Sequence, residues 1–318
     1  MQIIKGDSRE VLQCFTENYF ASCVTDPPYG LTSITERFGN ENSAPAKQGK
    51  DGRFSRLSKG FLGQEWDGTG IEKDPTFWKE VLRVMKPGAY LLAFGGARTY
   101  HRIAVAIEDA GFEIRDMIGW LYGQGFPKSH DLGDGWGTAL KPALEPIVMA
   151  RKPISEKTNR ANKDLFGTGG LNIGESRIPI QDDEVVPINK LEKWSGFGQE
   201  IRPDYEQTIN TQGRWPSNLL LEDEFLDDKS RFFYCAKPSK KEKGIACNHP
   251  TVKPKALMEY LITLVTPTDG IVLDPFFGTG TTGLACQNLG FDFVGIEKSE
   301  HYFSLAVERI NDEYSIPN

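Results

Sequence analysis

The stretch "GIVLDPFFGTGTTGLACQNLG" (270–290) decides the fold. Ile271 to Leu273 reads as a buried strand, Gly278, Gly280 and Gly283 as a glycine loop, and the residues after it as a helix. Strand, loop and helix stand in the order that a nucleotide-binding turn requires. Glycines let a ligand approach the backbone, and the helix N-terminus offers free N–H groups to an anionic group. The next strand ends at Glu297, nineteen positions after Gly278, where a carboxylate can hold a ribose diol. The spacing also satisfies GxGxxG, so a dinucleotide oxidoreductase and a purely structural turn stay open for this segment alone. Dinucleotide folds usually place the glycines directly after the strand, whereas Asp274-Pro275-Phe276-Phe277 intervene here.

Strands and helices alternate on both sides of this segment. "MQIIKGDSREVLQCF" (1–15) predicts a strand, a turn and a helix capped by Asp7 or Ser8, and residues 21–25 predict a second strand. In "PTFWKEVLRVMKPG" (75–88), Phe77, Trp78, Val81, Leu82 and Met85 recur at helical spacing until Pro87-Gly88 stops them. Strands follow at 89–96, 112–122 and 145–153, with a helix over 101–111. A helix at 254–266, a strand at 291–299 and a helix at 299–312 complete the pattern, which implies an α/β layered sheet. Two stretches break it. Residues from Leu31 to about Gly70 are rich in Gly, Ser, Asn and Lys, a length that marks a functional or mobile loop. Ile154 to Gly244 is interrupted throughout by prolines, glycines and isolated charges, and reads as an insertion with little regular structure.

Composition narrows the function. With 39% hydrophobic and 25% charged residues in 318, the chain reads as an ordinary globular protein, and it has no run of 18 apolar residues. Its start lacks the features of a secretory signal. The cysteines (Cys14, Cys23, Cys235, Cys247, Cys286) are scattered without a CxxC, and the histidines form no HxxxH or HExxH. No metal site or disulfide framework is indicated, and a reducing cytoplasm fits. A net charge of −7 argues against nonspecific coating of nucleic acid. Yet Arg37, Lys47, Lys50, Arg53, Arg56 and Lys59 face only Glu41 and Asp51 in their stretch, and "KPSKKEKG" (237–244) is a second basic run. Such patches suit a polyanion, or are simply solvated loops.

"CVTDPPYG" (23–30) ends a buried strand on a rigid turn that carries an acid and a ring. Alone it reads equally as a local turn. Paired with "DPFFGTGTT" (274–282), it resembles the DNA amino-methyltransferases that use S-adenosylmethionine. The tetrapeptide comes first and the glycine loop last, as in the family's β-type permuted arrangement. The resemblance continues through "GDSREVL" (6–12), "RVMKPGAYLLAFGG" (83–96) and "HPTVKPKALMEYLI" (249–262), and covers nearly all of the chain outside 31–70 and 154–244. "GQGFPKSHDL" (123–132), "GTALKPALEPIVMARKP" (137–153) and "GRWPSNLLL" (213–221) look like members carried by phages and prophages.

The resemblance implies a Rossmann-like class I methyltransferase fold, a mostly parallel sheet flanked by helices with an irregular target-recognition insertion. Residues 1–153 would form the catalytic half, 154–244 the insertion and 245–318 the cofactor-binding half. An exocyclic amine is a poor nucleophile because its lone pair is delocalised into the ring. Acceptors aimed at both N–H bonds favour a pyramidal nitrogen, a task suited to the Asp26 side chain and the Pro27 carbonyl. Pro27 and Pro28 hold the turn rigid, and Tyr29 stacks on a base swung out of the duplex. The cofactor pocket would comprise Asp274, Phe276, Phe277, Gly278, Thr279, Gly280 and Thr281, with Glu297 on the ribose. Lys253 would lie near the methionine carboxylate and Asp7 near the adenine ring; a solvated lysine and a helix cap are the plain alternatives. Lys47, Lys50, Arg53, Arg56, Lys59 and Arg214 would contact DNA. Members acting on cytosine more often carry serine where Asp26 stands, so adenine N6 is the expected target. Cytosine N4, an NAD-type oxidoreductase and a non-catalytic DNA-binding module are the alternatives. Double-stranded DNA is the implied partner, with a homodimer and a cognate restriction endonuclease in view and no membrane. The implied setting is the cytoplasm of a bacterial host or a phage-infected cell.

Overall fold

The computed structural model describes residues 1–29, 69–123, 125, 129–180, 187–188, 208–209, 212–222, 226–236 and 253–314. Its strands are β1 (Gln2–Lys5), β2 (Phe20–Thr25), β3 (Met85–Phe94), β4 (Glu113–Leu121), β5 (Asp131–Gly133), β6 (Trp136–Gly137), β7 (Leu144–Arg151), β8 (Pro187–Ile188), β9 (Thr208–Ile209), β10 (Leu219–Leu221), β11 (Tyr234–Cys235), β12 (Ile271–Asp274) and β13 (Asp292–Glu297). The helices are α1 (Ser8–Val11), α2 (Pro75–Val84), α3 (Tyr100–Asp109), α4 (Asn159–Phe166), α5 (Lys255–Val265), α6 (Thr281–Leu289) and α7 (Glu300–Tyr314).

One nine-stranded sheet runs β1-β13-β12-β2-β3-β7-β4-β10-β11, and β5–β6 and β8–β9 form two separate antiparallel pairs. In the large sheet only β7 is antiparallel to its neighbours β3 and β4. Both faces are covered, as parallel strands require. Along β3, Tyr90, Leu92 and Phe94 point into a core shared with α5, α6 and α7, while Ala89, Leu91 and Ala93 point into one shared with α2 and α3. Local chemistry sets the helix ends. Asp74 caps α2 by accepting from Thr76 N at 2.9 Å with Pro75 at the first turn, and Phe77, Trp78, Val81 and Val84 are buried. Among the described residues no helix is long and apolar enough to cross a membrane.

One expectation needs correcting. Pro87-Gly88 does not stop α2. The helix ends at Val84 and β3 has already begun at Met85, which pairs with Phe20 before the register shifts. Pro87 and Gly88 sit in that irregularity, Gly88 at φ +79, where a missing N–H and a left-handed backbone are tolerated. The described residues of 154–244 hold only short elements, and those at the two ends join the main fold. Thr158 caps α4, whose buried Asn162 donates to the carbonyls of Pro87 and Thr168, each at 2.9 Å, docking the segment on β3. At the other end β10 pairs in parallel with β4, and β11 with β10.

Candidate active site

The two motifs leave the carboxyl edge of the sheet from adjacent strands, since β12 pairs with β2 through Val272–Ser22 and Leu273–Cys23. This crevice is where open α/β sheets bind ligands. Thr25 Oγ1 donates to Asp274 Oδ1 and Thr282 Oγ1 donates to Asp274 Oδ2, each at 2.6 Å, and the Phe276 N–H bonds Oδ1 at 3.0 Å. The buried Asp274 therefore fastens strand, loop and helix together. Burial pushes its carboxyl up to about 6, against the pull of those three donors, and Asp26 nearby adds to the rise.

After Thr25 come Asp26, the buried Pro27 and Pro28, and the half-buried Tyr29. Lys253 Nζ reaches Asp26 Oδ2 at 2.7 Å, the Tyr29 hydroxyl at 2.9 Å and Glu145 Oε2 at 3.2 Å. The Tyr29 hydroxyl in turn donates to Glu145 Oε2 at 2.9 Å. Asp26 Oδ1 is buried and has no hydrogen-bond partner among the described residues. Burial opposes the charge on Lys253, but Asp26 and Glu145 outweigh it and hold the ammonium above its ordinary pKa. Burial, with Asp26 and Glu145 adding to it, raises the Tyr29 phenol well above its usual value. Lys253, expected beside the cofactor, is thus tied to the acid of the DPPY turn. Glu145 is a site residue that the sequence did not single out; its one signal is an acid heading the apolar run "EPIVMAR" (145–151).

In the glycine loop, Gly278 has φ +53 and a Cβ there would meet nothing closer than the Phe276 carbonyl at 3.9 Å. That face is open. Gly280, at φ +84, faces protein instead: a Cβ would stand 3.1 Å from the Ala306 Cβ. Glu297 Oε2 accepts from Gly278 N at 2.8 Å and Oε1 from Ser299 N at 2.6 Å. Burial raises its pKa against the pull of these N–H groups. Arg309 Nη1, also missed in the sequence, donates to the carbonyl and hydroxyl of Thr279 at 2.6 and 2.8 Å. Thr281 opens α6. The Phe276 ring packs near Phe77, at 5.2 Å between centroids, and Phe277 is buried against Phe293 at 5.5 Å. Both rings therefore turn into core.

Asp7 caps α1, accepting from Arg9 N at 3.0 Å, and pairs with Lys298 at 2.9 Å. Burial works the other way, but these partners hold it below its ordinary pKa. Arg214 is half-buried and its backbone bridges to Ile178; next to it the exposed Trp215 ring lies 5.4 Å from the Arg177 guanidinium. Lys47, Lys50, Arg53, Arg56 and Lys59 lie outside the described residues.

A mostly parallel sheet with an acidic Pro-Pro-Tyr turn beside a glycine loop frames a crevice of the kind in which α/β enzymes bind nucleotide-like ligands, and comparison with known proteins says which family this is. The DNA methylase family of N6/N4 methyltransferases matches residues 20–308, and the chain belongs to it. The family uses S-adenosylmethionine. Type II methyltransferase M.HindIII of Haemophilus influenzae is 27% identical, with 98% of this chain and 95% of that protein aligned. Type II methyltransferase M.HpaI of Haemophilus parainfluenzae is 26% identical, over 99% and 75%. In fold, the chain is similar to the PvuII DNA methyltransferase, described as cytosine-N4-specific, with a TM-score of 0.56 and 16% identity over 98% of this chain and 90% of that one.

Proposed function

We propose that the chain methylates N6 of a flipped-out adenine at a specific site in duplex DNA. The observation that carries this reading is the divided state of Asp26: Lys253 holds Oδ2 at 2.7 Å, and Oδ1 is buried without a hydrogen-bond partner among the described residues. A buried acceptor left unpaired costs about 1–3 kcal/mol, which an N–H of the target amine would relieve. Oδ1 would then orient the amine and take the proton that the nitrogen sheds on gaining the methyl group, whose bond to the cofactor sulfur breaks in the same exchange with its electron pair left on sulfur. Tyr29, with its hydroxyl bonded to Glu145 and Lys253, presents its ring edge-anchored to the base. Aspartate rather than serine at position 26 supports adenine over cytosine.

The residues of the glycine loop fit S-adenosylmethionine. The open face of Gly278 admits a ligand, and the Glu297 carboxylate keeps lone pairs for ribose hydroxyls after accepting two backbone N–H groups. Gly280, Thr281 and the N-terminus of α6 border the same loop, and Asp7 and Lys253 would serve it only by giving up part of their present pairings. When bound, this cofactor supplies a methyl group already activated on a sulfonium. The order of motifs is that of the permuted β-type, with 154–244 reading the target sequence and Arg214 among its DNA contacts. The Type II names of the relatives support a restriction–modification setting, with a cognate endonuclease and a homodimer as further partners. Incubation with labelled S-adenosylmethionine and duplex DNA, followed by nucleoside mass spectrometry, tests this. N6-methyldeoxyadenosine is expected; N4-methyldeoxycytidine would overturn the choice of base.

A further inference from the structure

The geometry points to Glu145 as a positioning residue for methyl transfer, one that shares Lys253 with Asp26 and anchors the Tyr29 ring. This rests on Asp26 being the acceptor for the target amine. β7 runs against its neighbours, so its first residues reach the edge where the parallel strands end. Asp26, after β2, and Glu145, in β7, therefore stand on either side of the end of β3. Lys253, with its side chain 5% exposed, spans them at 2.7 and 3.2 Å. The Phe94 ring, 4.9 Å from Nζ, lines the same spot.

Charge explains why two carboxylates are there. Asp26 and Lys253 alone would form a neutral buried pair, with the ammonium drawing electron density from the carboxylate that must accept the amine proton. A second carboxylate divides that pull and leaves the three groups with one net negative charge, facing an amine that becomes positive as it is methylated. Glu145 also accepts the Tyr29 hydroxyl, so the acid and the ring of the DPPY turn depend on one side chain. Among the described residues, Tyr122 after β4, Glu222 beyond β10 and Asp274 near Asp26 also belong to the polar surroundings.

The test uses Glu145→Gln and Glu145→Asp in the full chain, assayed with saturating S-adenosylmethionine and methylatable duplex. For Glu145→Gln, kcat should fall roughly ten- to a hundredfold while cofactor Kd stays within about threefold, and Glu145→Asp should recover part of the loss. A merely structural role would lower the melting temperature and the fraction able to bind cofactor, not kcat per competent site. Lys253 is read independently by acetic anhydride labelling across pH with peptide mass spectrometry. Its amine should become reactive at lower pH in Glu145→Gln than in the parent. A kcat within about twofold of the parent, or an unshifted labelling curve, overturns the inference. If the parent transfers no methyl to DNA, the reading of Asp26 fails, and the labelling curve still decides whether Glu145 holds Lys253.

Discussion

The Thr25 hydroxyl donates to Asp274 at 2.6 Å, a buried hydrogen bond between residues 249 positions apart. It joins the last residue of β2 to the last of β12, so the acidic turn and the glycine loop leave the sheet side by side at a fixed offset. Ser8 adds to the same junction by donating to the Pro275 carbonyl at 2.5 Å. Methyl transfer needs reacting atoms held in a narrow range of distances, and this junction sets the distance between the two halves of the site.

That junction has a pH signature. Burial raises the Asp274 carboxyl from 3.8 to about 6, against the hydrogen bonds from Thr25 and Thr282. The folded chain therefore holds this proton more tightly than the unfolded one. The contribution to stability is largest below the unfolded value and is lost as pH rises through the folded one. Asp274→Asn cannot lose a proton, so its stability relative to the parent should improve from about pH 4 to about pH 7, by on the order of 2–3 kcal/mol at most. Urea unfolding of both proteins at the two pH values checks this; an unchanged difference would contradict it.

Asp26→Asn keeps the shape of the side chain and removes its charge. Single-turnover methyl transfer should slow by roughly a hundredfold or more, because the negative charge that faces the amine and can take its proton is lost, although an amide oxygen remains to accept a hydrogen bond. Calorimetric affinity for S-adenosylmethionine should stay within about tenfold. Turnover close to that of the parent would contradict the role given to Oδ1.

Much of this was legible in the sequence because long signals dominate it. β3 and β7 are near-continuous apolar runs, α2 and α3 carry clear helical periodicity, and both site motifs are local strings. What escaped was short or distant. β10 and β11 are three and two residues long, below any periodicity, and β10 is marked only by the buried Leu220 and Leu221. α4 has one buried residue, and that residue, Asn162, is polar. Glu145 meets Tyr29 across 116 positions and Lys253 meets Asp26 across 227, contacts that depend on strand order and on the reversed direction of β7. A lysine preceding Pro254 carries no sign of which ligand it faces.

The two loop glycines should respond differently. Gly280→Val places a β-branched side chain at φ +84 against Ala306 and Phe277, so it should lower the melting temperature by several degrees. Gly278→Ala meets no neighbour and carries only the strain of its left-handed backbone at φ +53, without the clash at Gly280, so it should weaken cofactor binding with a smaller thermal effect. Thermal shift with and without S-adenosylmethionine separates the two; equal effects would contradict the open face assigned to Gly278.

Glu297→Ala removes the acceptor of two backbone N–H groups and, in the function proposed above, of the ribose hydroxyls. Each hydrogen bond to a charged group is worth about 1.5–3 kcal/mol, so cofactor Kd should rise roughly tenfold or more. Calorimetry showing unchanged affinity would move the cofactor site elsewhere.

Replacing Lys47, Lys50, Arg53, Arg56 and Lys59 together with glutamine should weaken binding to all DNA sequences and flatten its salt dependence, since phosphate contacts carry both effects. The methylated site should not change. Normal affinity with an unaltered salt slope would make this stretch irrelevant to DNA.

The most direct test is long-read sequencing that detects modified bases, applied to DNA from cells expressing the chain or its Asp26→Asn variant. The parent should leave N6-methyladenine at one short recognition sequence, and the variant should leave that sequence unmodified. N4-methylcytosine from the parent, or the same adenine methylation from the variant, would contradict the account.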